Sequence, residues 1–129
     1  MNLRCVVVDD SSIQRISIVK LIKEHPSLTL VAEYKNALET KKGLNELEAD
    51  LIFLDIEMPV INGFELLDVL HNKPQIIFVT GKTEYAFKAF DYDATDYLQK
   101  PIALQVLRLL FLAMSQEYKY QPLACPAYN

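Results

Sequence analysis

Three aspartates, a threonine and a lysine carry the chemistry legible in this chain, because each follows a short apolar run. Asp9 and Asp10 follow CVVV, Asp55 follows LIFL, Thr80 follows IIFV and Lys100 follows DYLQ. If the runs are parallel strands, their carboxyl ends share one sheet edge, where ligand crevices form. A single Asp after a strand is ordinarily a turn residue or a helix cap. Carboxylates, a hydroxyl and an ammonium meeting at one edge ask for another explanation. Three clustered carboxylates repel, so at least one pKa rises unless a cation joins them. Oxygen donors on a shallow, solvated edge suit Mg²⁺, which binds through one or two carboxylates plus a phosphate and keeps several waters. With that cation present, one Asp can attack phosphorus and become an aspartyl phosphate. Lys100 can then pair with one phosphoryl oxygen, and Thr80 can donate a hydrogen bond to another.

The elements that must position these groups follow from hydrophobic period. Apolar runs at residues 3–8, 28–34, 51–54, 76–79 and 97–98 alternate with segments of helical period. CVVV, LIFL and IIFV are continuous, as strands covered on both faces are. Residues 28–34 alternate instead, as an edge strand does. Ser11 or Ser12 can cap a first helix bearing Ile13, Ile16, Val19 and Ile22, which stops near His25 before Pro26. Asn36 can cap a second with Ala37, Thr40, Leu44 and Leu47 on one face, although Gly43 within it costs about 1 kcal/mol relative to Ala. A third follows Gly63 with Phe64, Leu67 and Leu70. Thr83 can cap a fourth through Phe90, and a fifth runs over 102–116. Strand–helix alternation of this kind gives a doubly wound α/β domain with a parallel sheet and right-handed connections. The period leaves the strand order open.

Composition sets the outer limits. The 129 residues suit one domain, with 51% apolar residues to fill its core. A net charge of −4 argues against the domain itself gripping a phosphate backbone. Cys5 and Cys125 read as reduced thiols of a cytoplasmic protein rather than a disulfide framework. No basic stretch leads into an apolar one at the start, so no leader is expected. The most apolar segment, 102–114, falls short of the ~20 residues a membrane span needs. His25 and His71 fall at expected helix ends and read as surface residues. Residues 118–129 carry Pro122 and Pro126 without period, and read as a linker or disordered tail beyond a domain spanning 1–117.

The sequence resembles the receiver domains of two-component response regulators over residues 3 to about 116. The resemblance rests on Asp9-Asp10, on LIFLDIEMPVINGFELL around Asp55, on FVTG with Thr80, and on DYLQKP with Tyr97, Lys100 and Pro101. It implies a five-stranded sheet in the order 2-1-3-4-5. It implies that Asp55 is phosphorylated by the phosphohistidine of a sensor histidine kinase. Asp10 and Asp55 would bind Mg²⁺ directly, Asp9 through water and Glu57 through its backbone carbonyl. Thr80 and Tyr97 would form the switch pair, and the Lys100–Pro101 bond would be cis. Gly81 stands where the family often has Ala, a mild departure that adds backbone freedom.

The stretch EYAFKAFDYDATDYLQKP is similar to receivers attached to LytTR-type DNA-binding domains. That similarity implies a transcription regulator whose effector lies outside this chain. Tyr85, Phe87, Phe90 and Tyr92 lie where family members pair through the fourth helix, fifth strand and fifth helix. The fifth helix is apolar nearly all round and needs cover beyond one sheet face, so a homodimer or effector contact is expected. Glu57 and Lys82 can pair at the mouth of the site and lengthen the phosphorylated state. No turnover of an external substrate is expected, only the domain's own phosphorylation and dephosphorylation. A phosphorylation-independent module of the same fold would lack one of the Asp, Thr or Lys residues, yet all are present. An aspartyl-phosphate hydrolase wants a second Asp two residues past the nucleophile, where Glu57 stands. A dinucleotide-binding domain wants a Gly-rich first turn, where Asp10-Ser11-Ser12 stands.

Overall fold

A computed structural model describes residues 2–71, 74–81 and 84–100. The elements are β1 (Leu3–Val8), α1 (Ser12–Glu24), β2 (Leu28–Tyr34), α2 (Ala37–Leu44), β3 (Leu51–Leu54), α3 (Gly63–Val69), β4 (Gln75–Thr80), α4 (Ala86–Asp91) and β5 (Asp96–Gln99). All strand pairings are parallel, and the order is β2-β1-β3-β4-β5. This is the doubly wound fold and order that the resemblance implied. The expectations for the fifth helix, the tail 118–129, Lys82, Thr83, Pro101 and Cys125 lie outside the described residues, as do those for the side chains of Phe87 and Phe90.

The CVVV, LIFL and IIFV stretches of the central strands are apolar and buried because helices cover both of their faces. Val6, Val8, Ile52, Leu54, Ile76 and Phe78 join one core with Phe64, Leu66 and Leu67 of α3. Their neighbours Cys5, Val7, Leu51, Phe53, Ile77 and Val79 join the other with Ile18, Val19 and Ile22 of α1. Each such side chain contributes roughly 1.5–3 kcal/mol by leaving water. β2 is the edge strand its alternation suggested. Cys5 pairs with Leu30 and Val6 with Ala32, so Val31 is the extra residue of a bulge.

Several helical expectations need correction. Ile13 and Ile16 are 77% and 63% exposed, and the inward stripe of α1 is Ile18, Val19 and Ile22 with partly buried Arg15 leading it. The spacing 15, 18, 19, 22 fits a helix face as well as 13, 16, 19, 22 does. A cation in the first position hid that alternative. α2 is capped by Asn36 as expected but ends at Leu44, so Leu47 packs on the core from the following connection. Gly43 suits its place because the Tyr34 ring fills the space a Cβ would need. His25 is buried rather than superficial. It caps α1, and its Nδ1 accepts a hydrogen bond from the Ser27 N–H, folding the ring against the start of β2.

Candidate functional site

The carboxyl ends of β1, β3, β4 and β5 bring the chosen side chains together. Asp9 continues β1, and its N–H donates to the Tyr34 carbonyl of β2 at 3.2 Å. Its Oδ1 accepts from the Ser11 N–H at 2.9 Å, which turns the chain into α1. Asp55 continues β3 and donates its N–H to the Val8 carbonyl at 2.9 Å. Asp9, Asp10 and Asp55 each offer a carboxylate oxygen within 4.8 Å of the others. Asp9 and Asp55 are buried, whereas Asp10 is exposed.

Lys100 reaches into this cluster from the end of β5. Its Nζ stands 2.7 Å from Asp9 Oδ2 and 3.6 Å from Asp55 Oδ1. The shorter contact is an ion pair without the alignment of a hydrogen bond, and Asp9 Oδ2 keeps no hydrogen-bond partner despite its burial. The Lys100 N–H donates to the Thr80 carbonyl at 2.8 Å, so the ammonium and the buried threonine share one backbone anchor. Burial and the Asp9 charge push the Asp55 carboxyl up to about 7, with Asp10 adding to the rise; Lys100 and the Glu57 N–H oppose it. One lysine does not neutralise three carboxylates. An oxygen-only donor set with surplus negative charge, including a buried oxygen held by an ion pair but no hydrogen bond, fits a hard divalent cation.

The loop from β3 to α3 holds Asp55 from the far side. The Glu57 N–H lies 3.3 Å from Asp55 Oδ1, and the Gly63 N–H donates to the Ile56 carbonyl at 2.8 Å. A Cβ at Gly63 would stand 2.6 Å from the Asp55 carbonyl oxygen, so only glycine permits this approach. A capping box between Asn62 and Glu65 closes the loop onto α3. Within it, Val60 has φ 70° while the Ile61 N–H donates to the Pro59 carbonyl at 2.8 Å. That is a strained γ-turn, and a β-branched residue is a poor occupant of it.

Glu57 directs its exposed side chain to the Tyr85 hydroxyl, 3.5 Å away, ahead of α4. The expected partner Lys82 lies outside the described residues. Tyr97 is buried on β5, opposite Phe78 and one pleat behind the Thr80–Gln99 pair. Sequence reading missed Arg15, whose Nη1 donates to the Asp9 carbonyl at 2.7 Å and whose Nε pairs with Glu33 at 3.1 Å. Among the described residues, no helix is long and apolar enough to cross a membrane.

A fold of this order, with an acidic pocket and a lysine at its carboxyl edge, defines a class, and comparison with known proteins agrees. The family model "Response regulator receiver domain" matches residues 5–111, and the chain belongs to that family. It is 35% identical to an uncharacterized response regulatory protein of Vibrio cholerae, over 97% of this chain and 55% of the relative. It is 36% identical to the transcriptional regulatory protein BtsR of Escherichia coli, over 92% of this chain and 51% of that protein. The chain thus spans about half the length of the curated relatives it matches. Among solved structures, the response regulatory domain of mrkE from Klebsiella pneumoniae superposes with a TM-score of 0.79 at 27% identity, covering 89% of this chain and 97% of that one.

Proposed function

We propose that Asp55 accepts a phosphoryl group from the phosphohistidine of a sensor histidine kinase, in a Mg²⁺-dependent reaction that switches the surface read by an effector. The observation that carries this reading is the meeting of Asp9, Asp10 and Asp55 within 4.8 Å around the Lys100 ammonium. An Asp55 oxygen attacks phosphorus, the N–P bond breaks, and its electron pair stays on the donor imidazole, which then takes up a proton. Mg²⁺ would be held by Asp10 and Asp55, with Asp9 acting through water and Glu57 through its carbonyl, and would supply charge neutralisation for the incoming group. Lys100 shifts from Asp9 to a phosphoryl oxygen, and the Thr80 hydroxyl donates to another. Tyr97 follows Thr80 as the second member of the switch.

The chain turns over no external substrate on this reading; it catalyses its own phosphorylation and dephosphorylation. The remaining half of the full-length protein would be a DNA-binding effector of the LytTR type, so the domain controls transcription from the cytoplasm. Its own negative charge leaves DNA contact to that effector. A homodimer through the fourth helix, fifth strand and fifth helix transmits the switch.

Incubation with acetyl phosphate and Mg²⁺, followed by intact mass, tests the central step. One phosphoryl adduct is expected on the wild type and none on Asp55→Asn or in EDTA. An adduct that survives Asp55→Asn would refute the assignment.

A further inference from the structure

We propose that Arg15 is a positioning residue for the acceptor site, setting where Asp9 and Asp10 present their carboxylates to a divalent cation. The inference rests on the Mg²⁺-dependent reading above and assigns a determinant of that site outside its ligands.

The carbonyl that Arg15 grips at 2.7 Å belongs to the planar peptide unit joining Asp9 to Asp10. Turning that plane would swing the Asp10 carboxylate. Asp10 is exposed, so its backbone, not surrounding packing, fixes its place. The other faces of the Asp9 backbone are held by β2, through the Asp9 N–H to the Tyr34 carbonyl at 3.2 Å. Glu33, next to Tyr34 on β2 and opposite Val7 in the register, holds the Arg15 Nε at 3.1 Å. Arg15 therefore ties the acidic turn and β2 into a closed ring of contacts. Its two nitrogens serve two acceptors at once, which a lysine ammonium on a flexible stem cannot reproduce in the same fixed geometry.

The placement argues for more than adhesion of α1 to the sheet. Arg15 leads the inward stripe completed by Ile18, Val19 and Ile22, while Ile13 and Ile16 of the same helix face solvent. An apolar residue there would attach the helix as well. The Arg15–Glu33 pair is half exposed on the Glu33 side, and such pairs contribute little stability. A charge-assisted bond to the peptide that carries both aspartates is instead the arrangement by which outer-shell groups orient metal ligands.

The test is a titration of the metal-free 129-residue chain with Mg²⁺ alone, followed by amide chemical shifts, for wild type, Arg15→Met, Arg15→Lys and Glu33→Gln. Arg15→Met is expected to raise the Mg²⁺ Kd about tenfold or more. Arg15→Lys should fall between it and wild type, and Glu33→Gln should shift the same way by less. With acetyl phosphate as donor, the Mg²⁺ concentration for half-maximal rate should rise while the rate at saturating Mg²⁺ stays within about twofold. An unchanged Kd beside a lower Tm in EDTA would make Arg15 a structural tie only and overturn the proposal. If Arg15→Met does not fold, the exposed Glu33→Gln decides, and an unaltered Kd there overturns it. Wild-type protein that binds no Mg²⁺ would overturn the parent reading and this one together; tight wild-type binding with unaltered variants overturns this one alone.

Discussion

On the proposed phosphoryl-acceptor reading, Lys100 has two jobs whose requirements conflict. Without a cation it is the counter-ion of Asp9 and Asp55, at 2.7 and 3.6 Å. During the proposed transfer it would have to release them to meet the phosphoryl group. Removing one partner of a buried ion pair leaves an uncompensated charge and costs roughly 3–5 kcal/mol. Here Mg²⁺ can take over that partnership. Lys100→Met is therefore expected to lower stability in EDTA by about 2 kcal/mol or more, to regain most of it in Mg²⁺, and to bind Mg²⁺ more tightly than wild type. Phosphoryl transfer should nonetheless fall by about 10²-fold, because a charge aimed at the transferred group is gone. Urea unfolding with and without Mg²⁺, beside the acetyl phosphate assay, separates the two jobs.

At the scale of elements, β5 opens on a partly buried acid. Asp96 accepts the Tyr97 N–H at 2.7 Å, yet burial still pushes its carboxyl up to about 6. A carboxyl whose folded pKa is raised keeps its proton longer in the native state than in the unfolded one. The stability it lends is full below about pH 4 and is lost as pH rises through about 6. Asp96→Asn keeps an oxygen for the Tyr97 N–H and cannot ionise. The variant should gain on wild type by about 1–3 kcal/mol between about pH 4 and about pH 7, and match it below that window, in urea titrations at each pH. The elements themselves were legible in the sequence to different depths. CVVV, LIFL and IIFV announced central strands because two buried faces leave no polar position, and the residues ending them marked the site edge. α1 was harder, since two helical stripes overlap and Arg15 breaks the apolar count of the true one. Its contacts to the Asp9 carbonyl and Glu33 join residues that no periodicity relates. His25 was misjudged because a helix end says nothing of the loop that folds back over it.

At the scale of the whole molecule, the buried aspartates sit where the strands shared by both cores end. Both cores run through β1, β3 and β4, and the strand order delivers Asp9 and Asp55 side by side at their carboxyl edge. Two buried carboxylates and a third beside them, served by one lysine, cost stability. The proposed phosphoryl-acceptor role accounts for the arrangement, since a site already neutral would have no pull on a cation or on a phosphoryl group. Asp55→Asn removes one charge while keeping the shape of the side chain and an oxygen for the Glu57 N–H. In EDTA at about pH 8 it is expected to be about 2 kcal/mol more stable than wild type, although on the proposed reading it would no longer accept a phosphoryl group. Saturating Mg²⁺ should erase or reverse that advantage, because the wild-type carboxylate binds the cation and the amide binds it poorly. Calorimetric Tm values for both proteins, in EDTA and in Mg²⁺, make the comparison complete. If Asp55→Asn proved less stable than wild type in EDTA, the Lys100 attraction would outweigh the repulsion among the aspartates, and the pocket would be held together by the charges it was expected to resist.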